Sequence, residues 1–91
     1  MEHYYPNVPR LGNVAVSRHA QAQMEKAGIP EATFRRALLE PTRPDVPDGN
    51  GVLLRERDGL RLVILTRPEP FVGAMLVKTV YRVKAQEGSR K

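Results

Sequence analysis

The chain has 91 residues, enough for one small domain with a limited core. It contains no cysteine, which excludes disulfides and thiolate metal sites. Fifteen lysines and arginines against ten acidic residues give a net charge of +5, which favours polyanionic partners such as RNA, DNA or an acidic protein. Because no apolar stretch reaches membrane-spanning length and no signal peptide is evident, we expect a cytoplasmic protein without a membrane contact.

The N-terminal segment carries few signals of regular structure. Residues 1–13 hold two prolines and a glycine and are expected to form an irregular arm. A short extended piece is expected over 14–16. We therefore predict one domain over 14–85 and a frayed tail over 86–91.

Two short helices follow. Ser17 is a good N-cap because its hydroxyl can accept a hydrogen bond from an unpaired backbone amide, and the predicted helix covers 18–27. Gly28 ends it by supplying a left-handed residue. A second helix is predicted between Pro30 and Pro41, with one apolar face.

From there the hydrophobic period changes from helical to two. A proline- and glycine-rich loop over 41–51 precedes strands predicted at 52–57, 60–66 and 72–83, and Asp58-Gly59 is a preferred hairpin pair. The predicted fold class is α+β, with two N-terminal helices packed on one face of a three- to four-stranded antiparallel sheet.

His19, in the first turn of the first helix, is the leading candidate for chemistry. An imidazole titrates near neutral pH, so it can take the proton of a ribose 2′-hydroxyl. The alternative is a purely structural histidine that hydrogen-bonds near the helix start. On the last strand, strict alternation places Thr79 and Tyr81 on one face and Lys78 and Arg82 on the other.

These residues form the predicted site. His19, Lys78, Thr79 and Tyr81 are the candidate catalytic residues. Arg55, Arg57, Arg61 and Arg82 are the candidate nucleic-acid contacts, because strand arginines around the hairpin can form a basic stripe that follows a phosphate backbone. No metal site or cofactor is expected, since the two histidines are far apart and the carboxylates are not clustered.

The chain resembles a bacterial and phage protein family of unknown function with an S-x-H-A…G-I pattern near the start and T-V-Y near the end. The resemblance covers about 16–83. The matching residues are Ser17, His19, Ala20, Met24, Gly28, Ile29, Thr79, Val80 and Tyr81.

The same pattern is similar to that of RelE-like and BrnT-like toxins. This resemblance implies a RelE-like fold, metal-free cleavage of RNA and neutralisation by an antitoxin. The chain departs from the family at Gln23 and Ala27, where the pattern has arginines.

Two functions therefore stay open. The first is a toxin-type, metal-independent endoribonuclease that uses His19 and phosphate-binding cations. The second is a non-catalytic phage or plasmid protein that binds and inhibits a host protein or nucleoprotein. A DNA-binding role for the helix pair is weaker, because its second helix offers few polar residues for reading bases.

Overall fold

A computed structural model describes residues 4–49, 51–67 and 73–83. It contains two helices and a six-stranded mixed sheet with strand order β1-β2-β6-β5-β4-β3. The elements in chain order are β1 (Tyr4–Val8), β2 (Gly12–Val16), α1 (Arg18–Ala27), α2 (Glu31–Leu39), β3 (Val46–Pro47), β4 (Val52–Arg57), β5 (Leu60–Leu65) and β6 (Met75–Arg82). The predicted three- to four-stranded antiparallel sheet is therefore wrong in strand number and in pairing.

The mixed character of the sheet comes from one long-range pair. β2 runs parallel to β6, with Val14 opposite Met75 and Val16 opposite Val77. All other strand pairs are antiparallel. A parallel pair needs a long crossover, which α1, α2 and the following strands provide.

Residues 4–12, expected to lie in an irregular arm, instead contribute a hairpin to the sheet edge. Tyr5 and Val8 are both buried although three positions separate them. A register shift between them, with Asn7 at a φ of 57°, turns both side chains inward. The Tyr5 ring lies 5.8 Å from the Phe34 ring, so the hairpin is part of the core.

The helices behave as their caps predict. Ser17 has extended backbone angles and its Oγ accepts the Ala20 N–H at 3.0 Å. Gly28 ends α1 at a φ of 70° and donates its N–H to Glu25. α2 begins after Pro30 and buries Phe34 and two further residues, Ala37 and Leu38. These boundaries confirm the predicted start and end of both helices.

The hairpin between β4 and β5 also follows the prediction. Asp58 and Gly59 both have positive φ, at 50° and 82°, which is the geometry of a type I′ turn. Along β5 the burial alternates, with Leu60, Leu62 and Ile64 buried against the helix layer. The core therefore lies between one face of the sheet and the two helices. In the described part of the chain, no helix is long and apolar enough to cross a membrane.

Candidate functional site

A groove of about 590 Å³ lies between α1 and the C-terminal end of β6. His19 stands on its helix side and Arg82 on its strand side, and both are exposed. The lining includes a lysine and an arginine and no acidic residue, so the groove carries positive charge. They are His19, Ala22, Gln23, Lys26, Ala27, Val80, Tyr81 and Arg82.

One face of α1 supplies the helix side of this groove. His19, Ala22, Gln23 and Lys26 occupy positions i, i+3, i+4 and i+7, which lie above one another on a helix. This spacing is present in the sequence and identifies Lys26, which was absent from the predicted site. The rule that places His19 therefore also places a lysine about two turns away on the same face.

The N-cap attaches α1 to β6. The Ser17 N–H donates to the Val77 carbonyl at 3.1 Å, and its Oγ donates to the Lys78 carbonyl at 3.1 Å. The same Oγ accepts the Ala20 N–H, so one hydroxyl caps the helix and bonds to the strand. His19, two residues later, is held at a defined place beside β6.

A β-bulge decides which side chains of β6 face the groove. The register of β5 against β6 shifts by one residue, and Lys78 has no partner in β5. Val77 and Val80 are consequently both buried, although strict alternation places them on opposite faces. Arg82 lies two residues after Val80 and reaches the side of His19. The alternation predicted for this strand is therefore wrong beyond Val77.

Gln23 links α1 to the same strand. Its Oε1 accepts the Val80 N–H at 3.1 Å and also the Thr79 hydroxyl. Arginine has only donors and could not accept these bonds. Gln23, which stands where the resemblance would place an arginine, thus has a structural role in this chain.

Tyr81 is paired with Arg61 across the sheet. The guanidinium donates to the Tyr81 hydroxyl at 3.3 Å and to Glu56 at 3.1 Å, and its carbon lies 5.8 Å from the Tyr81 ring centre. The hydrogen bonds to Tyr81 and then to Glu56 raise the pKa of Arg61 above its ordinary value. Arg61 therefore stays charged and supports the tyrosine instead of facing the groove.

The two β6 hydroxyls predicted to be catalytic, those of Thr79 and Tyr81, have partners other than His19. Thr79 donates to Gln23, and Tyr81 accepts from Arg61. Within the described part of the chain, no hydrogen bond joins either hydroxyl to His19.

Arg55 is buried and serves the fold. Its side chain is 1% exposed and forms a two-pronged pair with Asp45 at 2.8 and 2.7 Å. It also donates to the carbonyls of Leu38 at 2.6 Å and Pro9 at 3.0 Å. The guanidinium joins the first hairpin, α2 and the loop before β3, and because it is buried it is not available to bind a phosphate.

The remaining predicted cations lie apart from the groove. Arg57 donates to the Glu40 carbonyl, and its Nε lies 3.5 Å from the Asp58 carboxylate. Lys78 is exposed at the bulge but does not line the groove. The structure thus gathers His19, Tyr81 and Arg82 from the predicted set and adds Lys26 and Gln23.

Metal-ligand clusters are a separate question. Across residues 4–49, 51–67 and 73–83, no three histidine, aspartate or glutamate side chains are grouped so as to hold a metal ion. His3 lies outside these ranges. The groove itself has one imidazole and no carboxylate among its lining residues.

Comparisons of the chain with models of protein families, with curated proteins and with solved structures find no match.

Proposed function

We propose that this protein is a metal-independent endoribonuclease that binds RNA in the groove between α1 and β6. One observation carries the proposal: an exposed histidine, two cations and an exposed tyrosine line a single groove without an acidic side chain. A positive groove attracts a phosphodiester backbone, and a histidine within it can transfer a proton.

The proposed reaction uses the RNA's own 2′-hydroxyl as the nucleophile. His19 accepts the proton of this hydroxyl while the 2′-oxygen attacks the neighbouring phosphorus. The bond from phosphorus to the 5′-oxygen breaks, and the leaving oxygen takes a proton from water or from protonated His19. The products are a 2′,3′-cyclic phosphate and a 5′-hydroxyl, so atoms and charges balance without a metal or a cofactor.

The neighbouring side chains have binding roles. Lys26 and Arg82 would hold the non-bridging phosphate oxygens, whose negative charge grows in the transition state. Tyr81 is 40% exposed and is one of the residues that line the groove, and a tyrosine there could stack on an unpaired base. The Gln23 side chain keeps the strand wall in place through Val80.

The experiment compares wild-type protein with His19→Ala on single-stranded RNA in the presence of EDTA. We expect the substitution to lower the cleavage rate by about 10²- to 10⁴-fold, the usual contribution of a proton-transfer residue. Because His19 is exposed, its removal should leave thermal unfolding unchanged. Arg35→Ala on the exposed side of α2 is the matched control and should cleave like the wild type.

An RNA with a 2′-deoxy residue at the cleaved position provides the chemical control. It lacks the nucleophile and should stay intact, while the unmodified RNA should end in a 2′,3′-cyclic phosphate. Equal cleavage by wild type and His19→Ala, or no cleavage by either, would remove the enzyme proposal.

A non-catalytic binding protein is the second candidate. The observation that favours it is that Thr79 and Tyr81 are committed to Gln23 and Arg61, so no described side chain orients the imidazole. In that case RNA or a protein partner would bind in the groove without being cut. A partner that binds wild type and His19→Ala equally, with no RNA cleavage, would favour this candidate over the nuclease.

A further inference from the structure

The C-terminal half of β6 has an edge that no described strand covers. β2 pairs with β6 only from Met75 to Val77, and β5 takes the opposite edge of β6 along most of its length. Past Val77, the described residues that hydrogen-bond to this first edge belong to α1 and its N-cap, through the side chains of Ser17 and Gln23. An uncovered strand edge presents a row of backbone donors and acceptors to any extended chain.

One contact shows which backbone N–H and C=O groups of β6 point away from β5. The Val80 N–H points away from β5, because it donates to Gln23 on α1 at 3.1 Å. In an antiparallel pair alternate residues point their polar groups the same way, so those of Arg82 also face the open edge. The Gln23 carbonyl stands where the carbonyl of an added strand would lie.

The other two edges of the sheet are poor sites for strand addition. β1 contains Pro6 and a register shift, and β3 is two residues long and ends in Pro47. Proline lacks the donor that a ladder needs, and irregular or very short strands give a partner little to pair with. The edge of β6, in contrast, has a regular donor, the Val80 N–H, that already binds a side-chain carbonyl oxygen.

Charge selects the kind of chain that fits. His19, Lys26 and Arg82 line the groove beside this edge, and no acidic residue lines it. Ala22 and Ala27 leave room on the helix side for a backbone to approach. A second copy of this chain would bring the same cations face to face, whereas an acidic segment would neutralise them.

We propose that the edge of β6 from Lys78 to Arg82 binds an extended acidic peptide as an added strand, with Gln23 swinging away to release Val80. Backbone hydrogen bonds would supply affinity, and the groove cations would select acidic side chains. The bound peptide would lie over His19 and exclude other ligands from the groove. This surface exists whether or not the protein cleaves RNA.

The test uses a set of synthetic ten-residue peptides in which glutamate or aspartate alternates with valine or isoleucine. Binding is measured by titration calorimetry, and backbone amide shifts are followed by NMR. We expect at least one peptide to bind more tightly than about 1 mM. The largest amide shifts should fall at Val80 and Arg82.

Matched variants separate strand addition from general charge attraction. Methylating the peptide's alternate backbone nitrogens should abolish binding while its charge stays the same. Lys26→Glu and Arg82→Glu should each weaken binding by about tenfold or more. Arg35→Glu, the same charge change on an exposed position of α2, should weaken it by less than about twofold.

Three results would overturn the proposal. The first is that no peptide of the set binds. The second is that the methylated peptide binds as well as its parent. The third is that Arg35→Glu weakens binding as much as Lys26→Glu. None of these outcomes depends on RNA cleavage, so a failed nuclease assay and a failed peptide assay remain separate results.

Discussion

Two arginines of one sheet, on strands that flank β5, have opposite environments in this protein. Arg55 on β4 is buried and bonded to a carboxylate and two backbone carbonyls, whereas Arg82 at the end of β6 is exposed in a groove. Both were predicted to bind nucleic acid from their place on a strand. An arginine's partners, rather than its charge, therefore decide whether it serves the fold or is free to bind a ligand.

The two regions also differ in how their polar groups are satisfied. In the part of the chain that the structure describes, no buried side-chain nitrogen or oxygen lacks a hydrogen-bond partner, and the Arg55 cluster is the densest such network. In the groove, no described residue hydrogen-bonds to the His19 imidazole. A satisfied buried network favours a single structure. Exposed polar groups without partners are available to a ligand.

The strongest way to break this comparison is to remove Arg55. Arg55→Met should lower the free energy of unfolding by about 3–5 kcal/mol, because it leaves the Asp45 carboxylate and two carbonyls without their donor. Urea denaturation followed by circular dichroism measures the change. A loss below about 1 kcal/mol would contradict the structural role.

The double variant Arg55→Met with Asp45→Asn is the control for that experiment. It removes both charges of the pair, so it should recover part of the lost stability. Arg57→Met serves as a further control on the same strand. Its side chain is more exposed and its carboxylate contact is longer, so the expected loss is about 1 kcal/mol or less.

Removing a cation from the groove should affect RNA binding and leave the stability of the fold unchanged. Lys26→Ala and Arg82→Ala should each weaken binding of single-stranded RNA and reduce the slope of log affinity against log salt by about 0.7. Fluorescence anisotropy over a salt series measures both quantities. An unchanged slope in both variants would show that the phosphates bind elsewhere. As the folding control, the midpoint of urea denaturation of each variant should match that of the wild type.

The smallest expected effect concerns the junction that positions His19. Ser17→Ala removes the helix cap and the bond to the Lys78 carbonyl, so it should destabilise the protein by about 1 kcal/mol. Ser17→Thr keeps a hydroxyl and should lose less. If alanine and threonine behave alike in thermal unfolding, the hydroxyl does not hold α1 against β6.

Local signals in the chain predicted local structure well. Ser17 and Gly28 marked the ends of α1, and Asp58-Gly59 marked a type I′ hairpin. Each of these features depends on backbone preferences and hydrogen bonds within a few residues. Helical spacing from His19 would also have found Lys26, because a regular helix repeats its face at fixed intervals.

The first hairpin and β3 were missed for a physical reason. Pro6, Asn7 and Pro9 are typical of loops, and the buried residues Tyr5 and Val8 break a period of two. The strand conformation of β1 depends on pairing with β2 and on packing against Phe34, which lies far along the chain, and β3 depends on pairing with β4. Nothing in the composition of these segments indicates such partners.

What the amino-acid order determined by itself was therefore the two helices, the central hairpin, a histidine in the first turn of α1 and an excess of positive charge. Only the tertiary structure decided that β2 lies parallel to β6, that a bulge at Lys78 carries Arg82 to the side of His19, and that Arg55 is buried. The division follows the range of the interactions. Caps and turns depend on neighbours in sequence. Strand register, burial and the interaction partners of a charged side chain depend on residues that come together only when the chain folds.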